Sequence, residues 1–256
     1  MFSGEVKVSN TNIFVTLLDE IIPTQFTVYS NTVVFDEKNP RAMILPIPIP
    51  KDGNSEELTK SIKMVDMTNH ADFFKILHSN ILRPRSMSSA RSSSLRVYEC
   101  GSYQYSVVPD LKSMEQLDQS TFVLSDRLMQ TLTLKYSHNF AFLVCVVKKS
   151  ATYSPIAYIH ASDCKTLFVP TYHEHGHSGE EEYTDDWDHS VYSVQKSDDK
   201  TTMLSDNREL KNVKFFHANP FSWYGSELPF QNIAYNKFIC RMMKGKNANG
   251  DIIIKA

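Results

Sequence analysis

Glycine is scarce in this chain, with eight in 256 residues. Phosphate-binding loops and nucleophile elbows spend glycine on tight turns, and no GxxxxGK[ST], GxGxxG or GxSxG string occurs. That sets aside the glycine-built nucleotide sites and the common serine-hydrolase elbow. Paired CxxC motifs are also missing. The four cysteines, Cys100, Cys145, Cys164 and Cys240, stand far apart. Cys145 and Cys164 fall in apolar or strand-like text, so the expectation is reduced, buried thiols in an intracellular protein. No apolar run approaches the roughly 20 residues of a membrane helix, and the opening MFSGEVKVSN is too polar for a secretory signal. A soluble, cytoplasmic protein is expected. There is no basic excess: the formal net charge is -2. Nucleic acid is therefore a poor partner. No repeat recurs at a period of 20–50 residues.

What is present suits a globular protein. Hydrophobic residues make up 41% and charged residues 22%, with 15 Phe and 12 Tyr. A chain of this length buries roughly 70–75% of its unfolded surface. One globular domain over 1–256 is expected.

The first third reads as strands: TNIFVTLLDEII, QFTVYSNTVVF and RAMILPIPIP are rich in β-branched and aromatic residues. Pro46, Pro48 and Pro50 lack an amide donor, which confines the third segment to a sheet edge or an extended exit. A helix follows, with Asn69 as its N-cap, Asp72 in its first turn and Phe73, Phe74, Ile76, Leu77 and Ile81 at helical spacing. Pro84 stops it near Leu82. Residues 83–94, RPRSMSSARSSS, read as a flexible Ser/Arg-rich loop. Asp110 caps a short helix through Leu111, Met114 and Leu117. Ser125 starts another, with Leu128 and Leu132 facing inward. NFAFLVCVVKK is an apolar run without alternation, so both its faces are expected to be covered. PIAYIH, TLFVPTYHEH, HSVYSVQ and the start of VKFFHANP read as further strands. YNKFICRMM puts Tyr235, Phe238, Ile239 and Met242 at helical spacing, whereas Asn249-Gly250 before a β-branched run is a hairpin signal; the favoured of the two readings pairs 237–243 with 251–255. The expected fold class is α+β: a mainly antiparallel β-sheet with two or three helices packed on one face.

The chemistry-bearing stretch is PTYHEHGHSGEEEYTDDWDHSVY, residues 170–192. Extended backbone alternates side chains across a sheet. His173, His175 and His177 would share one face with Leu167 and Val169. Trp187, His189 and Val191 would align on a second strand, with Asp186 and Asp188 opposite. If the acidic loop at 178–186 turns the chain into a hairpin, His173 or His175 can meet His189. Three imidazoles then form a metal site with an open position for water, and zinc or another divalent metal is the candidate cofactor. The expected ligands are His173, His175 and His189. Asp188 is the candidate orienting carboxylate or general base. This reading is of a metal-binding, hydrolase-like domain.

The same residues support a different class. Glu180, Glu181, Glu182, Asp185, Asp186 and Asp188 form an acidic run of the kind that makes a solvated face or meets a basic protein partner. The alternative is a non-catalytic interaction or structural module with this acidic contact loop.

GSYQYSVVPDL, LFVPTYHEHG, DWDHSVY and the closing KGKNANGDIII resemble a family of uncharacterised proteins with no known activity. Its members share a Pro-Thr-x-His-x-His segment, an Asp-His-x-x-Tyr-type segment and a Gly-x-x-x-Asn-x-Asp pattern. The resemblance makes Pro170, Thr171, His173, His175, Asp188, His189 and Tyr192 the shared positions. It implies a common fold and no particular reaction.

Overall fold

The structure, a computed structural model, describes residues 1–3, 6–19, 22–36, 38, 40–50, 57, 60–82, 103–118, 122, 124–162, 165–174, 184–195, 202–206, 208, 210, 213–218 and 237–255. Its strands in chain order are β1 (Lys7–Asp19), β2 (Thr24–Val34), β3 (Arg41–Pro48), β4 (Lys63–Val65), β5 (Gln104–Val108), β6 (Phe140–Val147) and β7 (Ala151–Thr152). Then follow β8 (Ile156–Ala161), β9 (Thr166–Val169), β10 (Thr184–Gln195), β11 (Thr202–Leu204), β12 (Val213–Ala218), β13 (Lys237–Ala248) and β14 (Ile252–Lys255). Two α-helices are described in full among these residues, α1 (Phe73–Leu82) and α2 (Asp126–Tyr136).

The strands form three sheets among the described residues. The largest runs β12-β13-β10-β1-β2-β8-β4, with β7 also pairing β2. The others run β11-β14-β9 and β3-β6-β5. β1 and β10 pair in parallel, Thr11 beside His189.

Side-chain alternation explains how these sheets stack. Along β1, Ile13 and Val15 enter one cluster while Phe14 enters another. Along β6, Leu143, Cys145 and Val147 join Ile13 and Val15, and Phe142 and Val144 point the other way. β9 and β14 do the same, with Leu167, Val169, Ile252 and Ile254 inside and Phe168 and Ile253 outside. The large sheet thus packs on the two small ones across a central core. Its outer face is covered by Phe73, Phe74 and Leu77 of α1. The outer face of the small sheets is covered by Leu128, Leu132 and Tyr136 of α2.

The expected α+β arrangement is therefore corrected. The molecule is β-rich, its large sheet is mixed, and the two helices lie on opposite outer sides. Because strands such as β1 and β6 are apolar on both faces, each layer needs a cover on its outer side as well as its inner side. One helical face could not serve both layers.

Several local readings correspond closely to the structure. β3 is an edge strand. The outward N–H groups of Ala42 and Ile44 are taken by Ser3 Oγ and the Met1 carbonyl. Pro46 and Pro48 continue the same alternation where no donor is needed. α1 ends at Leu82. It begins at Phe73, not behind Asn69, because Thr68–His70 forms a separate 3-10 turn. Asp110 accepts the Ser113 N–H at 2.8 Å, and Lys112–Gln116 is a 3-10 helix. Ser125 Oγ caps α2 through the Leu128 N–H. β6 is buried almost throughout. Cys145 and Cys240 are buried and in no disulfide.

Two pairings differ from expectation. β13 and β14 form no hairpin: β13 lies between β10 and β12, whereas β14 lies between β9 and β11. Likewise β9 and β10 belong to different sheets, so no hairpin carries the histidines. The Ser/Arg-rich loop lies outside the described residues. Of the acidic loop, Thr184–Asp186 is already part of β10. No helix among the described residues is long and apolar enough to cross a membrane.

Candidate functional site

Trp187 and His189 lie one pleat apart on β10 and face the central core, both buried. Their ring centroids are 4.7 Å apart. His189 sits beside Thr11 of β1 and across from Met243 of β13. Gly245 stands opposite Trp187 with φ of 77°, a left-handed conformation that a side chain would strain.

His173 reaches this pair from the segment that follows β9. Its Nε2 is 2.9 Å from Nε2 of His189, and the two rings are tilted by 31° at 4.6 Å. Its ring also stacks on Trp187 at 6.0 Å. At that separation one imidazole donates an N–H and the other accepts. Two zinc-bound imidazoles would hold their nitrogens about 3.3 Å apart at tetrahedral geometry, so a metal here would have to part the two rings.

Of the other expected site residues, Asp188 is not brought to this pair. His175 lies outside the described residues. Asp188 falls on the opposite face of β10: its Oδ2 accepts the Asn10 N–H at 3.1 Å, and its Oδ1 is 3.5 Å from Lys244 Nζ. It touches neither imidazole, because consecutive strand residues point to opposite faces. Among the described residues, no group of three or more His, Cys, Asp and Glu side chains could hold a metal ion.

What holds His173 in place includes Asn249 and Asp251, the Asn and Asp of the Gly-x-x-x-Asn-x-Asp pattern, to which the sequence reading assigned no role. Asn249 accepts the His173 N–H at 2.9 Å and donates Nδ2–H to the His173 carbonyl at 2.8 Å. Its amide thus pairs with that backbone as a neighbouring strand residue would. Arg208 donates to the Asn249 carbonyl at 2.9 Å. Asp251 accepts the N–H groups of Thr171 and Tyr172 on one oxygen, at 2.9 and 3.0 Å. Its other oxygen takes the Tyr136 hydroxyl of α2. Thr171 Oγ1 donates to the Gly250 carbonyl at 2.8 Å. Burial raises the Asp251 pKa above the ordinary carboxylate value, opposed by these hydrogen bonds.

Glu174 completes the arrangement with a 3.0 Å ion pair to Arg127 and a hydrogen bond from Thr131, both on α2. Lys135 lies over the Tyr172 ring at 5.0 Å. The segments 171–174, 187–189 and 245–251 therefore converge, although some 80 positions separate the first from the last. The available signal was the polar string Asn247, Asn249 and Asp251 immediately before an apolar run. Polar groups that close to a core need specific partners.

Each of these bonds fixes backbone or orients a ring. The carboxylates of Asp251 and Glu174 are taken up in holding the segment, and Asp188 is remote from the imidazoles. Among the described residues, the arrangement orders the segment 171–174.

No known protein-family profile matches the chain. Among solved structures it is similar to baculovirus P35, with 14% identity and a TM-score of 0.52 over 98% of this chain and 97% of that one. A mutated baculovirus P35 after caspase cleavage matches with 13% identity and a TM-score of 0.49, over 97% and 99%. A chain of a caspase-8/P35 complex matches with 14% identity and a TM-score of 0.48, over 97% and 96%. The first of these likenesses shows a shared fold.

Proposed function

We propose that this chain is a non-catalytic protein-binding module. The observation that supports the reading is the correspondence of fold with P35 along nearly the whole of both chains. The site geometry agrees with it: the histidines bond each other, and the nearby carboxylates hold backbone. A module of this kind needs a well-ordered scaffold and a presented surface, and no reacting centre.

Caspase-8 is the first probe, because it is the partner present in one of the P35 structures. Purified chain and caspase-8 would be mixed at equimolar concentration, with complex formation followed by size exclusion and peptidase activity by a fluorogenic substrate. The expected result is a stable complex. No complex would remove this protease from the reading. The acidic run is the second surface to test. If Glu180, Glu181 and Glu182 contact a basic partner, changing all three to Gln weakens binding and flattens its salt dependence. Substrate turnover that disappears with His173→Ala would overturn the non-catalytic reading.

A further inference from the structure

The segment 170–174 belongs to no strand. The N–H groups of Thr171, Tyr172 and His173 are taken by two side chains, Asp251 and Asn249. The His173 carbonyl returns to the Asn249 amide. A β-ladder distributes such bonds along a partner strand. Here, they depend on two residues of the short connection between β13 and β14. Directly before this segment, β9 is held differently, by its antiparallel ladder to β14.

The ring of His173 lies over Trp187 and His189, which are each only 2% exposed, while His173 itself is part-exposed. Lifting the segment would break no strand pair, and would release Glu174 from Arg127, Thr131 and the Phe2 N–H. Stability is uneven within folded proteins, and units with few ladder bonds open first.

We propose that residues 170–174 form a strap that opens as a unit, keyed by Asn249 and Asp251, and that its opening uncovers Trp187 and His189. The strap lies within the chain, and its opening does not depend on which partner the module binds.

Hydrogen exchange with residue-level resolution tests it on the intact chain. At low denaturant, the amides of Thr171, Tyr172 and His173 should exchange faster than those of Leu167 and Val169, with little denaturant dependence. Asn249→Ala should speed the strap amides roughly ten- to a hundredfold, the loss expected for stranding buried backbone groups, and leave β9 unchanged. Asp251→Asn retains an acceptor oxygen for Thr171 and Tyr172 and should leave strap exchange within a few-fold of the parent. In a Trp223→Phe background, Asn249→Ala should also raise acrylamide quenching of Trp187 emission. Strap and β9 amides exchanging together with full denaturant dependence would overturn the proposal. So would an Asn249→Ala variant with unchanged Trp187 quenching.

Discussion

His160 shows how one buried side chain sets a pH response. It is buried at the end of β8, its Nδ1 2.8 Å from the Ala161 carbonyl. Burial lowers its pKa from 6.5 to about 4, partly offset by hydrogen bonds to backbone. The unfolded imidazole therefore holds its proton through a pH window in which the folded one does not. Stability from this group is complete above pH 6.5 and is lost as pH falls toward about 4. The full effect is about 3 kcal/mol. Denaturant unfolding at pH 7 and 4.5 should show His160→Gln losing much less stability on acidification than the parent; an equal loss in both would exclude His160 as the cause. At the same scale, the His173–His189 hydrogen bond bears on metal content. Elemental analysis of tag-free protein should give less than stoichiometric zinc, because the two Nε2 atoms engage each other at 2.9 Å. Stoichiometric zinc that vanishes in His173→Ala would make the pair a metal site after all.

At the scale of elements, joints between sheets matter more than any one strand. Gln25 on β2 links the large sheet to β9. Its amide donates to the Phe168 carbonyl at 2.8 Å and accepts the Phe168 N–H at 2.9 Å. Gln25→Leu keeps the volume and strands both backbone groups. The expected cost is roughly 1–3 kcal/mol for each group left unsatisfied, readable as a lower denaturation midpoint. A midpoint unchanged from the parent would mean that the joint is dispensable. Local signals for elements were legible: Ser125 caps α2, Asp110 caps the 3-10 turn, and β6 is covered on both faces. The pairing of elements was not. Asn249-Gly250 carries the turn residues of a hairpin, but the buried side chains of Asn249 and Asp251 turn toward 171–173. Those tertiary hydrogen bonds outweigh a local turn preference.

At the scale of the whole molecule, three apolar clusters share the same sheets. Leu143, Trp187 and Ile252 come from different sheets and meet in the central one. Leu143→Ala should cost about 2–5 kcal/mol. The loss should appear as one transition, with far-UV circular dichroism and tryptophan fluorescence coinciding. Two separated transitions would show that the layers unfold independently. The sequence by itself determined that β1, β2, β3 and β6 are strands, where α1 ends and where α2 begins, because apolar spacing, proline and capping residues act within a few positions. It also determined that β6 is apolar on both faces, and so needs cover on each. The tertiary structure alone decided which strands are neighbours. β1 lies parallel to a strand some 180 residues later, and β14 leaves β13 to pair with β9. It also decided that His173 meets His189 while Asp188 faces away from both. Those choices depend on shape and hydrogen-bond partners brought from distant parts of the chain, which no local pattern records.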